Sequence, residues 1–236
     1  MIRVEPVSET SLIVYLGEHI DIRLTPQISL LAQYLKAYFS PFLVEVIPSY
    51  TSVFLQYHPC KINYQTLKSA ILQFADSLSE RQNHSMPSNN RQLIVLPVYY
   101  HHEVGPDLSA VAQLHQLTPE QVIANHSQTT YTVCAIGFAP GFAFLASVDP
   151  LIATPRHVEP RVRLPAGSVG IANEQTAVYP ADSPGGWQII GNCPMSLFSP
   201  DDTLMSPFQV GDKVKFQPID KEQFEQLGGS IWPHWK

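Results

Sequence analysis

Residues 79–92 read SERQNHSMPSNNRQ, a stretch whose single apolar side chain is Met86. Clusters of Ser, Asn and Gln of this kind mark linkers. The chain is therefore expected to comprise an N-terminal domain at 1–80, a linker at 81–91, a second domain at 92–222 and a C-terminal tail at 223–236. The two sides of the linker have different textures, and that difference carries the fold assignment.

On the N-terminal side, IRVEPVS and SLIVYLG read as strands. TPQISLLAQYLKAYFS places Ile28, Leu31, Leu35 and Phe39 at helical spacing. Thr25 is the expected N-cap of this helix and Pro26 its first helical residue. FLVEVIP and SVFLQYH follow as strands, and NYQTLKSAILQFADSL as a second helix capped by Asn63. The order ββα-ββα implies an α+β sandwich with both helices on one face of the sheet.

Beyond the linker come a strand, QLIVLPVYY, a short helix in GPDLSAVAQLHQ and a second helix opened by a capping box, Thr118 with Gln121. From Thr129 onward Pro and Gly punctuate short runs such as YTVCAIGF, GSVGIA, TAVYP and WQIIGN every eight to twelve residues. That rhythm belongs to an all-β barrel or sandwich. FQVGDKVKFQPI alternates Val214 and Phe216, and KEQFEQLGG reads as a short polar helix or a tail.

Composition narrows the function classes. Hydrophobic residues make up 44% of the chain and charged residues 14%, with 21 prolines and a net charge of −6. Such a balance fits a compact, turn-rich protein and speaks against nucleic acid as a partner, because binding to phosphates rests on Lys and Arg. Cys60, Cys134 and Cys193 are too few and too scattered for a disulfide framework or a zinc ribbon. Neither a signal peptide nor an apolar run of membrane-spanning length is read, so a cytoplasmic setting is expected and a membrane is not. His101, His102 and Glu103 are clustered, but neighbouring residues of a strand face opposite sides, so no metal site is expected there.

The segment PRHVEPRVRLPAGSVGIA, 155–172, concentrates three of the seven arginines, Arg156, Arg161 and Arg163, within eight residues. No other Lys or Arg lies between Gln92 and Asp212. Arg161 and Arg163 stand at i and i+2, on one face of an extended segment, from which two guanidinium groups can converge on a carboxylate or phosphate. Ser168 and the N–H groups of Gly167 and Gly170 could complete such a cradle. Equally, the arginines could pair with acids such as Glu159 or stand in solvent. GFAPGFAFL, with Phe138, Phe142 and Phe144, and SPGGWQIIG, with Gly185, Gly186 and Trp187, supply aromatic residues beside glycine turns, either as plugs of barrel corners or as the walls of one pocket. AGSVG carries Ala166 where a nucleophile elbow has Gly, and no strand–turn–helix context surrounds it. Phosphate-loop and dinucleotide-binding signatures are absent. His126 is expected to bond carbonyls at the end of its helix, and with Glu103 it is the least unsuitable residue for a catalytic base, a role that stays unassigned.

Taken together, GPDL, GFAPGFAFL, PRHVEPRVRLPAGSVGIA, YPADSPGGWQIIG and VGDKVKF resemble the family that contains the B subunit of 5-oxoprolinase, the kinase inhibitor KipI and the first subunit of allophanate hydrolase and urea carboxylase enzymes. The resemblance implies an N-terminal α+β domain followed by a cyclophilin-like β-barrel. It implies a non-autonomous hydrolase component that works with the A subunit and the carboxyltransferase-like C subunit of 5-oxoprolinase. Together these open 5-oxoproline to glutamate at the expense of ATP. It raises Arg156, Arg161, Arg163, Gly167, Ser168, Gly185, Gly186 and Trp187 as substrate-binding residues. A carboxylate would need a bidentate cation, and arginines and oriented N–H groups would stabilise the charge built on an activated lactam oxygen. Two other roles in the same family, inhibition of a sensor histidine kinase and a urea carboxylase-type reaction, remain open. The chain departs from the family pattern at Tyr100-His101-His102, at Val148-Asp149-Pro150 and at Asn192, where a basic residue is often found.

Overall fold

Alternate side chains of residues 11–15 and 52–57 turn to one buried face in the computed structural model, which describes residues 2–81, 93–201, 205–233 and 235. β1 (Arg3–Ser8), β2 (Ser11–Tyr15), β3 (Leu43–Pro48) and β4 (Ser52–Tyr57) form an antiparallel sheet in the order β1-β2-β4-β3. Leu12 and Val14 of β2 and Val53 and Leu55 of β4 are fully buried in one core with Ile28, Leu31 and Leu35 of α1 (Thr25–Phe39) and Leu67 and Ile71 of α2 (Tyr64–Arg81). Each such side chain stabilises the fold by about 1.5–3 kcal/mol. Asn63 caps α2 as expected, its Oδ1 accepting from Thr66 N at 2.9 Å. Thr25, by contrast, is not an N-cap. A 3-10 turn at Ile22–Leu24 runs directly into α1, and Asp21 caps that turn by accepting from Arg23 N at 2.9 Å. The Thr25 N–H already bonds to Ile22 O, so the helix needs no capping side chain there.

The chain divides into two units, residues 1–91 and 92–236. Apart from Arg81, the last residue of α2, the linker expected at 81–91 lies outside the described residues. The second unit comprises β5 (Leu93–Tyr99), α3 (Leu108–Leu114), α4 (Pro119–Gln128), β6 (Thr130–Ile136), β7 (Ala143–Ala146), β8 (Arg161–Leu164), β9 (Ser168–Ala172), β10 (Gln175–Val178), β11 (Ser183–Gly185), β12 (Gln188–Asn192), β13 (Lys213–Ile219) and α5 (Lys221–Gln226). Seven of these strands close a barrel in the order β10-β7-β6-β13-β5-β12-β9. The protein is thus α+β, with the closed barrel that the family resemblance leads one to expect. Leu96, Val98, Tyr131, Val133, Val169, Ile171, Val214 and Phe216 fill its core. Closure depends on β13, which pairs parallel with β5 from Lys213↔Leu93 to Ile219↔Tyr99 and antiparallel with β6.

Helix α4 opens with the expected capping box: Thr118 Oγ1 accepts from Gln121 N at 3.3 Å, and Gln121 Oε1 accepts from Thr118 N at 2.8 Å. At the far end, α5 begins with a second capping box, Asp220 with Gln223, and buries Phe224 against Tyr99 and Val104. β8 and β11 stand apart from the barrel as a two-stranded ribbon, with Ser183 opposite Leu164 and Gly185 opposite Arg161 across a shift of register. That ribbon carries two of the three clustered arginines.

Candidate functional site

Arg161 and Arg163 leave the same strand, but their guanidinium groups do not converge on one point. Arg161 forks onto Asp107, with Nη1 to Oδ2 at 2.9 Å and Nη2 to Oδ1 at 2.7 Å. Asp107, in the turn just before α3, is 5% exposed and also accepts the Ile189 N–H at 2.7 Å. The Nε2 of His157 lies 3.2 Å from Asp107 Oδ2 and 3.2 Å from Arg161 Nη1. One carboxylate therefore fastens the ribbon, the 155–160 segment and β12 to the start of α3. Arg163 pairs on the surface with Asp182, Nε to Oδ2 at 3.0 Å, and lies 4.8 Å over the Trp232 ring. Its hydrogen bond, followed by one from the Ala166 N–H at 2.9 Å, holds the Asp182 carboxyl below the usual carboxylate range.

Arg156 differs from both. It is exposed and has neither a carboxylate nor a hydrogen-bond partner among the described residues. Its guanidinium lies along the Pro-Gly-Gly turn, where a Cβ on Gly186 would come 3.5 Å from Nη2. It also stands near Tyr179, whose hydroxyl burial pushes up to about 12 while the Arg156 charge and a hydrogen bond with the Trp187 backbone pull the other way.

The small residues of 165–170 serve the chain itself. Gly167 has φ +81°, and a Cβ there would sit 2.2 Å from Cys193 O, so the position admits only glycine. The Gly167 N–H donates to Tyr179 O at 2.7 Å, and the buried Ser168 hydroxyl donates to Pro165 O at 2.7 Å. Gly170 lies within β9, paired on both sides with Ala177 and Ile189. Gly185 is likewise a point of close approach, since a Cβ would lie 2.5 Å from Tyr179 Oη. Two of the donors expected to complete an anion cradle, the Gly167 N–H and the Ser168 hydroxyl, are spent on carbonyls.

The aromatic residues do assemble. Phe142 is the hub, with ring centroids of Phe144 at 4.8 Å, Phe138 at 5.1 Å, Tyr179 at 5.3 Å and Trp187 at 5.7 Å, all steeply inclined. Edge-to-face pairs of this kind add about 0.5–1.5 kcal/mol each beyond area burial. Phe142, Tyr179 and Trp187 are buried. Phe138 is 66% exposed and has φ +75°, a conformation that costs a bulky residue roughly 1–2 kcal/mol.

His126 is fully buried, and its partners are hydroxyls instead of the expected carbonyls. Thr176 Oγ1 donates to Gly170 O at 2.9 Å and so accepts from His126 Nε2 at 2.8 Å, which leaves Nδ1 to accept from the Tyr100 hydroxyl at 2.7 Å. Burial lowers its pKa to about 3. It is a neutral core residue stacked on Phe216 and not a base. Burial also pushes the Cys193 thiol up to about 11, which keeps it protonated. His101 and His102 lie in a turn and not on a strand, so their rings meet at 3.9 Å and do not point apart. Glu103 takes up His101 at 3.0 Å and Lys221 at 3.3 Å, and no cluster of metal-ligating type occurs among the described residues.

Sequence reasoning missed Asp107, His157, Tyr179 and Asp182. All four lie in the motifs GPDL, PRHVEPRVRLPAGSVGIA and YPADSPGGWQIIG, but no local spacing relates Asp107 and Asp182 to arginines 54 and 19 residues away.

Comparison with known proteins places these features in context. Residues 2–208 match the family described as carboxyltransferase domain, subdomains C and D. The chain is similar to the B subunit of 5-oxoprolinase from Bacillus subtilis, 36% identical over 228 residues covering 94% of this chain and 95% of the relative. The protein of the same name from Haemophilus influenzae is 49% identical over 123 residues, 52% of this chain and 58% of the relative. Among solved structures, TTHA0988 superposes with a TM-score of 0.78 at 29% identity, over 95% of this chain and 41% of that longer one.

Proposed function

This chain belongs to the family of carboxyltransferase subdomains C and D, and we propose that it serves as the B subunit of a 5-oxoprolinase. In this reading it acts with the A subunit and the carboxyltransferase-like C subunit of that enzyme. Together they convert 5-oxoproline, water and ATP to glutamate, ADP and phosphate. The observation that carries the reading is the Bacillus subtilis protein of that name, matched over nearly the full length of both chains. The barrel unit supplies the substrate side through the surface around Arg156 and Gly185–Trp187, while Arg161, Arg163, Gly167 and Ser168 shape and hold it. A cytoplasmic setting suits three cysteines of which none forms a disulfide.

The surface around Arg156 does not by itself fit a triphosphate. Between residues 93 and 211 the cations Arg161 and Arg163 are already matched by carboxylates, and only Arg156 is left. No step is therefore routed through ATP on this surface, and the nucleotide belongs to the assembled enzyme.

The direct test is to co-express the chain with candidate A and C subunits and to measure glutamate formed from 5-oxoproline. Glutamate should form only with all three chains and ATP. A soluble, complete set that makes none would overturn the assignment, and turnover of urea by that set would move the chain to the urea carboxylase branch of the family.

A further inference from the structure

We propose that Arg156 and Phe138 form a site, complete in this chain, for a small five-membered ring bearing one carboxylate, with the carboxylate on the Arg156 guanidinium and the ring on the face of Phe138. The inference rests on the reading above and deepens it by naming which of three arginines meets substrate. Arg161 and Arg163 each hold a carboxylate of the chain itself, so a ligand anion would have to displace Asp107 or Asp182. Arg156 has no such competitor among the described residues, and an exposed guanidinium can present its fork to a carboxylate in bidentate fashion.

The space beside it is kept free of side chains. Gly186 has an ordinary φ, and a Cβ there would make only normal contacts, at 3.5 Å, with Arg156 Nη2, His157 O and Pro160 Cβ. Neither backbone geometry nor a clash requires glycine, but a side chain would crowd the guanidinium. Gly137, next to Phe138, is a second such glycine: a Cβ there would meet nothing within 4 Å.

Phe138 has a left-handed backbone and a largely exposed ring, which packs at steep angles on Phe142 at 5.1 Å and Tyr179 at 6.4 Å. Strain of this kind clusters at ligand-binding and active sites. Tyr179 borders both members of the site: its ring lies 6.4 Å from that of Phe138, and its hydroxyl comes within 2.5 Å of a would-be Cβ on Gly185, next to the Gly186 along which Arg156 lies. A single unpaired cation suits a monocarboxylate. A phosphate chain would leave charge uncompensated, and the five-membered ring follows from the reading above.

The test uses the full chain and direct binding by NMR titration with 5-oxoproline, with pyrrole-2-carboxylate, and with 2-pyrrolidinone, which has the ring but no carboxylate. Arg156→Gln should weaken binding of both acids about tenfold or more, as expected for loss of a charge-assisted pair, and leave 2-pyrrolidinone unchanged. Phe138→Ala should weaken all three. Arg23→Gln, which removes a surface arginine of the other unit, should change none. Arg156 makes no contact that folding needs, so the variant's melting temperature should match the parent's.

Equal affinity of parent and Arg156→Gln for the acids, or no binding of any acid by the full chain, overturns the proposal. The two readings can fail separately. Arg156-dependent binding without ATP-dependent glutamate formation sinks the oxoprolinase assignment and keeps the site. Glutamate formation with an unchanged KM in Arg156→Gln does the reverse.

Discussion

Asp107 organises more of the candidate site than any other residue, and its value lies in what it prevents. A guanidinium as enclosed as that of Arg161, whose side chain is 17% exposed, is tolerated because a nearly buried carboxylate meets it with two short hydrogen bonds and also takes the Ile189 N–H. Removing one partner of such a pair leaves an enclosed charge and an unsatisfied amide, which costs about 3 kcal/mol. Asp107→Ala should lower the unfolding free energy in urea by about that amount. Replacing both members, Asp107→Leu with Arg161→Met, should cost less than the single change, because no charge is then stranded. A single variant within 0.5 kcal/mol of the parent would show that the pair is an exposed ornament. The sequence made the arginine cluster conspicuous and located it on an extended segment. It could not show that two of the three charges turn back onto the chain, because the carboxylates that take them come from other loops.

At the scale of elements, glycine turns mark where backbone meets backbone more often than where a ligand sits. The PAGSVG stretch is the corner between β8 and β9. Its Gly167 carbonyl accepts from the Cys193 N–H at 2.8 Å, and Asn192 Nδ2 donates to Ala166 O at 3.0 Å, so the corner is stitched to the end of β12. Two glycines separate the contributions. Gly228 has φ +88° with nothing within 4 Å of a would-be Cβ, whereas Gly167 has φ +81° and two oxygens, Cys193 O and Asn192 Oδ1, within 2.6 Å. Gly228→Ala should therefore cost about 1 kcal/mol of stability, the conformational part alone. Gly167→Ala adds overlap with backbone that cannot swing away and should cost at least ~3 kcal/mol. Similar urea midpoints for the two variants would mean that the corner relaxes and is not the fixed joint described. Strands and helices were readable here because alternation, helical spacing and the Thr118–Gln121 box are local signals. The corner's purpose was not, since the atoms that forbid a Cβ belong to residues some twenty-five positions further on.

For the whole molecule the decisive pairing is the least local one. β5 follows the polar stretch and β13 nearly ends the chain, yet they run parallel in full register and close the barrel. Alternation of Val214 and Phe216 identified β13 as a strand, but nothing in spacing names a partner some 120 residues away, and a parallel pair needs a long crossover that leaves no turn motif. The rhythm of Pro and Gly left barrel and sandwich open, and the family resemblance chose the barrel.

The same topology governs which pieces can stand alone. The core around Ile28 and Leu67 and the core around Leu96 and Phe216 share no residue. A chain of residues 93–236 should then fold without the N-terminal unit, showing a cooperative urea transition and dispersed amide resonances. Ending it at residue 212 removes Val214 and Phe216 from the core and turns β5 and β6 into open edges, which invites aggregation. That shorter chain should be insoluble or unfolded. A cooperative transition in residues 93–212 would show that the barrel needs no closing strand. An unfolded 93–236 would show that the two units stabilise each other.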